Sequence, residues 1–103
     1  MDVQERIKQK VTGNRVVLFM KGSAQMPQCG FSANAVQILK ACGANDLVTV
    51  DVLADNDVRQ GIKQYANWPT IPQLYIKGEF VGGSDIMTSM FESGELQKTL
   101  APG

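Results

Sequence analysis

Five consecutive apolar residues, Val16-Val17-Leu18-Phe19-Met20, constrain this chain more than any other feature. The run has strand length, opens on two β-branched residues and carries no polar face, so it reads as a buried strand. A strand of that kind needs cover, and the flanking sequence supplies helices. Val3, Ile7 and Val11 fall at i, i+4 and i+8, one face of a short helix ending near Thr12-Gly13-Asn14. Ala35, Ile38, Leu39 and Cys42 repeat at i, i+3, i+4 and i+7 in a helix that begins near Gly30 and stops at Gly43. Between strand and helix lies a loop from Lys21 to Gln28, marked by Gly22-Ser23 and Pro27.

The pattern then repeats. Val48, Val50 and Val52 alternate with Thr49 and Asp51, the period of a half-buried strand. Asp55 or Asn56 caps a third helix carrying Val58, Ile62, Tyr65 and Ala66 on one face. Leu74-Tyr75-Ile76 and Phe80-Val81 form two short strands, and Lys77-Gly78 suits a two-residue hairpin turn with glycine at positive φ. After Gly82-Gly83, the residues Ile86, Met87, Met90 and Phe91 give another helix face, and a last short helix is expected near Glu95–Leu100. The order α-β-α-β-α-β-β-α predicts an α/β fold, a βαβ unit followed by a ββα unit. Right-handed crossovers make of it a small four-stranded mixed sheet flanked by helices. No repeat or linker divides the 103 residues, so residues 1–103 are read as one domain. Hydrophobic residues at 44% suffice for a core without disulfide staples.

Composition excludes several functions. Ten Lys+Arg balance ten Asp+Glu, which leaves no extended basic face for nucleic acid or anionic membrane. No apolar run approaches the roughly 18–20 residues of a membrane span. The opening Met1-Asp2-Val3-Gln4-Glu5-Arg6 lacks the order of a signal or transit peptide, so a cytoplasmic protein is expected. The chain has no His, which removes Ser-His-Asp and Cys-His catalytic pairs and any imidazole-ligated zinc. Its two cysteines cannot close a four-thiolate metal site within one chain. Any metal here needs ligands from outside the protomer.

Cys29 sits where the loop meets a helix start, between Pro27-Gln28 and Gly30. Unpaired backbone N–H groups and the positive end of the helix dipole favour thiolate over thiol there, and thiolate is both nucleophile and metal ligand. Cys42 lies at the far end of the same helix, about 20 Å away at 1.5 Å per residue, well beyond disulfide reach. It fits the apolar stripe and reads as a core residue.

Cys29-Gly30-Phe31-Ser32 resembles the active-site motif of the monothiol glutaredoxins, where Ser replaces the second Cys of a Cys-x-x-Cys pair. Lys21-Gly22-Ser23 and Pro27 precede it, and Trp68-Pro69-Thr70-Ile71-Pro72-Gln73-Leu74 and Gly82-Gly83-Ser84-Asp85-Ile86 follow, all at that family's spacing. The chain is similar throughout its length to a single-domain, bacterial-type CGFS glutaredoxin with a thioredoxin-like fold. By its sequence Pro72 simply opens the third strand, where the first ladder N–H is dispensable. The resemblance implies more: a cis Ile71-Pro72 bond that aims the Ile71 main chain at a thiol-bearing peptide beside Cys29. Likewise Gly82-Gly83 alone reads as a tight turn with Ser84 or Asp85 capping a helix, or as an anion site at its N-terminus. The resemblance implies that the Ser84 and Asp85 N–H groups hold the γ-glutamyl carboxylate of glutathione and the Asp85 side chain its ammonium. Lys21 and Arg59 would take the glycine carboxylate at the other end. Many relatives carry Cys at the place of Ser84, so this chain lacks that resolving thiol.

Two functions follow from the resemblance. In the favoured one, the protein carries a [2Fe-2S] cluster in iron–sulfur assembly. Cys29 and a bound glutathione from each of two protomers supply its four ligands, so that a homodimer forms around the cluster. BolA-type proteins and recipient apoproteins are the expected partners. The alternative is a glutathione-dependent thiol–disulfide oxidoreductase in which Cys29 attacks a glutathionylated protein. The long loop before Cys29 and the family trend argue for weak activity of that kind.

Overall fold

The computed structural model describes residues 2–101. The expected element order is present, as α1 (Val3–Gly13), β1 (Val16–Met20), α2 (Gly30–Ala41), β2 (Leu47–Asp51), α3 (Asn56–Ala66), β3 (Gln73–Ile76), β4 (Glu79–Gly82), α4 (Ser84–Ser93) and α5 (Glu95–Leu100). The strands form one sheet in the order β2-β1-β3-β4. β1 pairs in parallel with β2 and antiparallel with β3, and β3 pairs antiparallel with β4, so the sheet is mixed.

The continuous apolar run works because β1 is an inner strand with a core on each face. Val16, Leu18 and Met20 join Ala35, Leu39, Leu74, Met87 and Leu96 beneath α2, α4 and α5. Val17 and Phe19 face the opposite way, into a second core with Ile7, Val11, Ile62 and Tyr75 under α1 and α3. Side chains alternate between faces along a strand, so a strand sandwiched between helix layers has no position free for a polar residue. Each such buried side chain contributes roughly 1.5–3 kcal/mol. The Tyr75 ring meets Phe19 edge-on at a centroid distance of 5.6 Å and lies 5.5 Å from Phe80.

Local signals set the boundaries. Asp2 caps α1 by accepting from the Glu5 N–H, and Asp55 caps α3 by accepting from Asp57 and Val58. Asp55 also takes Arg6 of α1 at 2.6 Å, and this contact holds its carboxyl below the usual range. Lys77 and Gly78 both have positive φ, the requirement of the tight turn that links β3 to β4. Three expectations shift. Val52 falls one residue past β2, although its N–H still donates to Met20 O at 2.9 Å and its side chain is buried. Pro72 precedes β3 instead of opening it, because the ladder with β1 begins at Gln73 opposite Phe19. Ile86 leaves the buried face of α4, where only Met87 is fully enclosed, and is 42% exposed.

Candidate functional site

Cys29 is the residue preceding α2, with extended backbone (φ −153°, ψ 137°), so its side chain stands at the open end of the helix. It forms no strict capping hydrogen bond, yet nearby donors act on the sulfur. The Ser32 N–H is the strongest influence holding the thiol below its usual range; partial burial opposes it. The Phe31 N–H, the Lys21 ammonium and the Ser32 hydroxyl add to the lowering. Cys42, half-buried behind α2, is pushed the other way by burial alone. Alkylation requires thiolate, so lowering the pKa moves the onset of reactivity to lower pH. Iodoacetamide labelling of Cys29 is therefore expected to reach half its plateau rate at a lower pH than labelling of Cys42. Peptide mass spectrometry across pH checks this; a Cys29 midpoint at or above that of Cys42 refutes it.

The segment before the thiol is tied rather than loose. Ser32 is fully buried and its Oγ accepts the Lys21 N–H at 3.1 Å, which fastens the end of β1 to the first turn of α2. Gln28 N–H donates to Lys21 O at 2.9 Å, Ser23 N–H donates to Met26 O at 3.3 Å, and Gly22 bridges to Pro27. Asp51 Oδ1 accepts from both Gly22 and Leu53 at 2.9 Å, which locks the loop onto the end of β2.

A cleft of about 400 Å³ opens beside the sulfur, and four separate segments wall it. Lys21, Cys29, Arg59 of α3, the Trp68–Pro72 segment and Gly83, Ser84 and Asp85 before and at the start of α4 all line it. Ile71-Pro72 is a cis peptide. Neither Ser84 nor Asp85 caps α4: the cap is Gly83, which has no side chain to bond the first-turn amides. That leaves the amides and the dipole available to an anion. A Cβ on Gly83 would sit 3.3 Å from Pro72 O and 3.4 Å from Trp68 Nε1, so the two sides of the cleft pack closely here.

Every site residue expected from the sequence (Lys21, Cys29, Arg59, Ile71, Pro72, Ser84 and Asp85) lines this cleft. So do Phe31, Lys63, Trp68, Thr70 and Ile86, to which sequence reasoning gave no part in binding. Lys63 had a signal, since it lies one helical turn beyond Arg59 on the same face of α3. Phe31 (64% exposed), Trp68 (38%) and Ile86 are large apolar groups left at the surface around the thiol. Among the described residues no three His, Cys, Asp or Glu side chains come together as a metal site.

Residues 16–81 match the glutaredoxin family. An uncharacterised ycf64-like monothiol glutaredoxin of Synechocystis is 60% identical over 99 residues, covering 96% of this chain and 92% of that one. The chain is a monothiol glutaredoxin. A probable monothiol glutaredoxin of Legionella pneumophila, GrlA, is 57% identical over 84 residues, which are 82% of this glutaredoxin and 93% of that protein. Among solved structures, a monomeric truncated mutant of Trypanosoma brucei 1-C-Grx1 superposes with a TM-score of 0.85 at 44% identity. The match covers 97% of this chain and 90% of that one. The thioredoxin-like fold of such glutaredoxins is the fold described above, and the family's use of glutathione accords with a cleft of this shape and charge.

Proposed function

We propose that this glutaredoxin carries a [2Fe-2S] cluster between two copies of itself, each giving the Cys29 sulfur and the thiol of one bound glutathione. The observation that supports this reading is a single thiol held below its usual range in a cleft lined by Lys21, Arg59 and Asp85 and by the first residues of α4. Glutathione has a carboxylate at each end and an ammonium beside one of them. Lys21 and Arg59 would hold the glycine carboxylate. The Ser84 and Asp85 N–H groups would hold the γ-glutamyl carboxylate, with the Asp85 side chain on the ammonium. The main chain of Ile71, beside Pro72, would align the cysteinyl residue next to Cys29. Four thiolates meet the usual ligand count of the cluster. Two of them belong to dissociable glutathione, so the cluster is transferable cargo. Recipient apoproteins and BolA-type proteins are the partners this cargo calls for, and the cytoplasm is the compartment we assign.

Anaerobic reconstitution with ferrous iron, sulfide and glutathione tests the proposal. A visible chromophore at twice the protomer mass supports it, and full assembly without any added thiol overturns it. Glutathione binding alone is checked by calorimetry. Lys21→Ala or Arg59→Ala is expected to weaken it by about 1–3 kcal/mol, the worth of a hydrogen bond to a charged group. The loss should shrink at high salt, because these side chains lie partly in solvent. Wild-type affinity in both variants would remove them from the site.

The depressed Cys29 thiol also suits the oxidoreductase reading. Its thiolate would attack the glutathione sulfur of a glutathionylated protein, releasing the protein thiolate. A second glutathione thiolate would then take that glutathione as its disulfide and free Cys29. A mixed-disulfide assay distinguishes the two: turnover at the rate of a dithiol glutaredoxin would favour the enzyme.

A further inference from the structure

Gln73 has no accessible surface, yet its side chain is polar. It opens β3 directly after Pro72, and its carboxamide turns back along the chain. Nε2 donates to Trp68 O at 3.2 Å and to Thr70 O at 3.1 Å, while Oε1 accepts the Tyr75 hydroxyl at 3.1 Å. Three of the four hydrogen-bonding positions of the amide are thus filled, and both N–H groups are spent on two carbonyls of one segment. Trp68 and Thr70 line the cleft, whereas Gln73 does not. The segment from Trp68 to Thr70 has no regular secondary structure, and all three of its residues are exposed. The Gln73 carboxamide supplies the fixed reference that its own sequence lacks. Tyr75 in turn is wedged among Phe19, Tyr65 and Phe80, and its hydroxyl only fills the Oε1 side of the amide, away from the two carbonyls.

We infer that Gln73 is a positioning residue: its buried carboxamide sets the place of the Trp68–Thr70 wall and through it the affinity of the cleft for glutathione. This rests on the reading of the cleft as a glutathione site. Gln73→Met keeps the volume and removes both donors, leaving two carbonyls unpaired. It should weaken glutathione binding by roughly tenfold in calorimetry. It should also shift the fluorescence of Trp68, the only tryptophan in the chain. The pH profile of Cys29 alkylation should stay in place, because Ser32, Phe31 and Lys21 set it and Gln73 is not among the groups acting on the sulfur. Tyr75→Phe removes the hydroxyl but leaves both Gln73 donors, and should keep affinity within about twofold. Unchanged affinity and unchanged Trp68 emission in Gln73→Met would overturn the inference. So would a shift in the Cys29 profile equal to the loss in affinity, since that means general loosening. Should Gln73→Met fail to fold, the wild type answers by nuclear magnetic resonance. The Gln73 side-chain amide protons should exchange slowly with solvent, and more slowly still with glutathione bound; fast exchange overturns the inference. Failure of the wild type to bind glutathione would instead refute the cleft's assignment.

Discussion

Cys29→Ser is expected to eliminate cluster assembly outright, with no chromophore and no mass doubling under anaerobic reconstitution. Serine keeps the size of the side chain at the open end of α2, so the fold has little reason to change. What it removes is the soft donor, since a hydroxyl is a far poorer ligand than thiolate for an iron–sulfur centre. No neighbour replaces it. The other thiol, Cys42, caps the far end of α2 and packs against the core that holds Leu39. Cys42→Ser should therefore leave the cluster nearly intact and alter stability only slightly. Absorbance per protomer and sedimentation mass check both variants. Loss of the cluster in Cys42→Ser, or its survival in Cys29→Ser, would refute the shared-ligand arrangement.

Gly22→Val should be the most damaging single change to the architecture around the thiol. Gly22 has φ +88°, and a Cβ there would lie 2.5 Å from Met26 O and 2.7 Å from Gln28 N. Both obstacles are backbone and cannot rotate aside. Left-handed strain in a β-branched residue adds to the collision. The loss should be on the order of 3 kcal/mol or more, read as a lower urea midpoint at unchanged m-value. Glutathione affinity should fall as well, since Lys21 and the bond from Gln28 to Lys21 O belong to the same loop. Gly43→Ala is the control. Its φ is +76° but nothing lies within 4 Å of the added carbon, so strain alone operates, at about 1 kcal/mol. Equal losses in the two variants would show that the packing of the Gly22 loop is unimportant.

The sheet and its helices were legible because burial leaves a period in the sequence. The unbroken run at Val16–Met20 marks a strand covered on both faces, and Val58, Ile62 and Tyr65 mark the inner face of α3. Periodicity is blind to a helix face that meets a cleft instead of a core. Ile86 shares the apolar spacing of Met87 and Met90, yet it lies beside Gly82 at the mouth of the cleft. The start of α4 is open to two readings for a related reason: Ser84 and Asp85 are good capping residues, but the glycine before them takes the position and leaves the amides open. The thiol itself stood out, because Cys29 lies between turn residues at a helix start. The ends of the cleft did not. Lys21, Arg59 and Lys63 look like ordinary solvated charges until folding brings them together, and the resemblance alone assigned the first two. Gln73 stood in a matched motif but nothing marked its side chain, since its bonds go to carbonyls three and five residues before it.

The four walls of the cleft come from segments spread between residues 21 and 86, and this spacing sets an order during synthesis. β1 leaves the ribosome early, but its antiparallel neighbour β3 is complete only at Ile76, and the start of α4 follows later still. Closing such distant pairings is the slow part of folding a mixed sheet. Cys29 is thus made long before the groups that would discriminate among its partners. A nascent chain stalled or cleaved before Ser84 would present the Cys29 sulfur with one wall of the cleft missing.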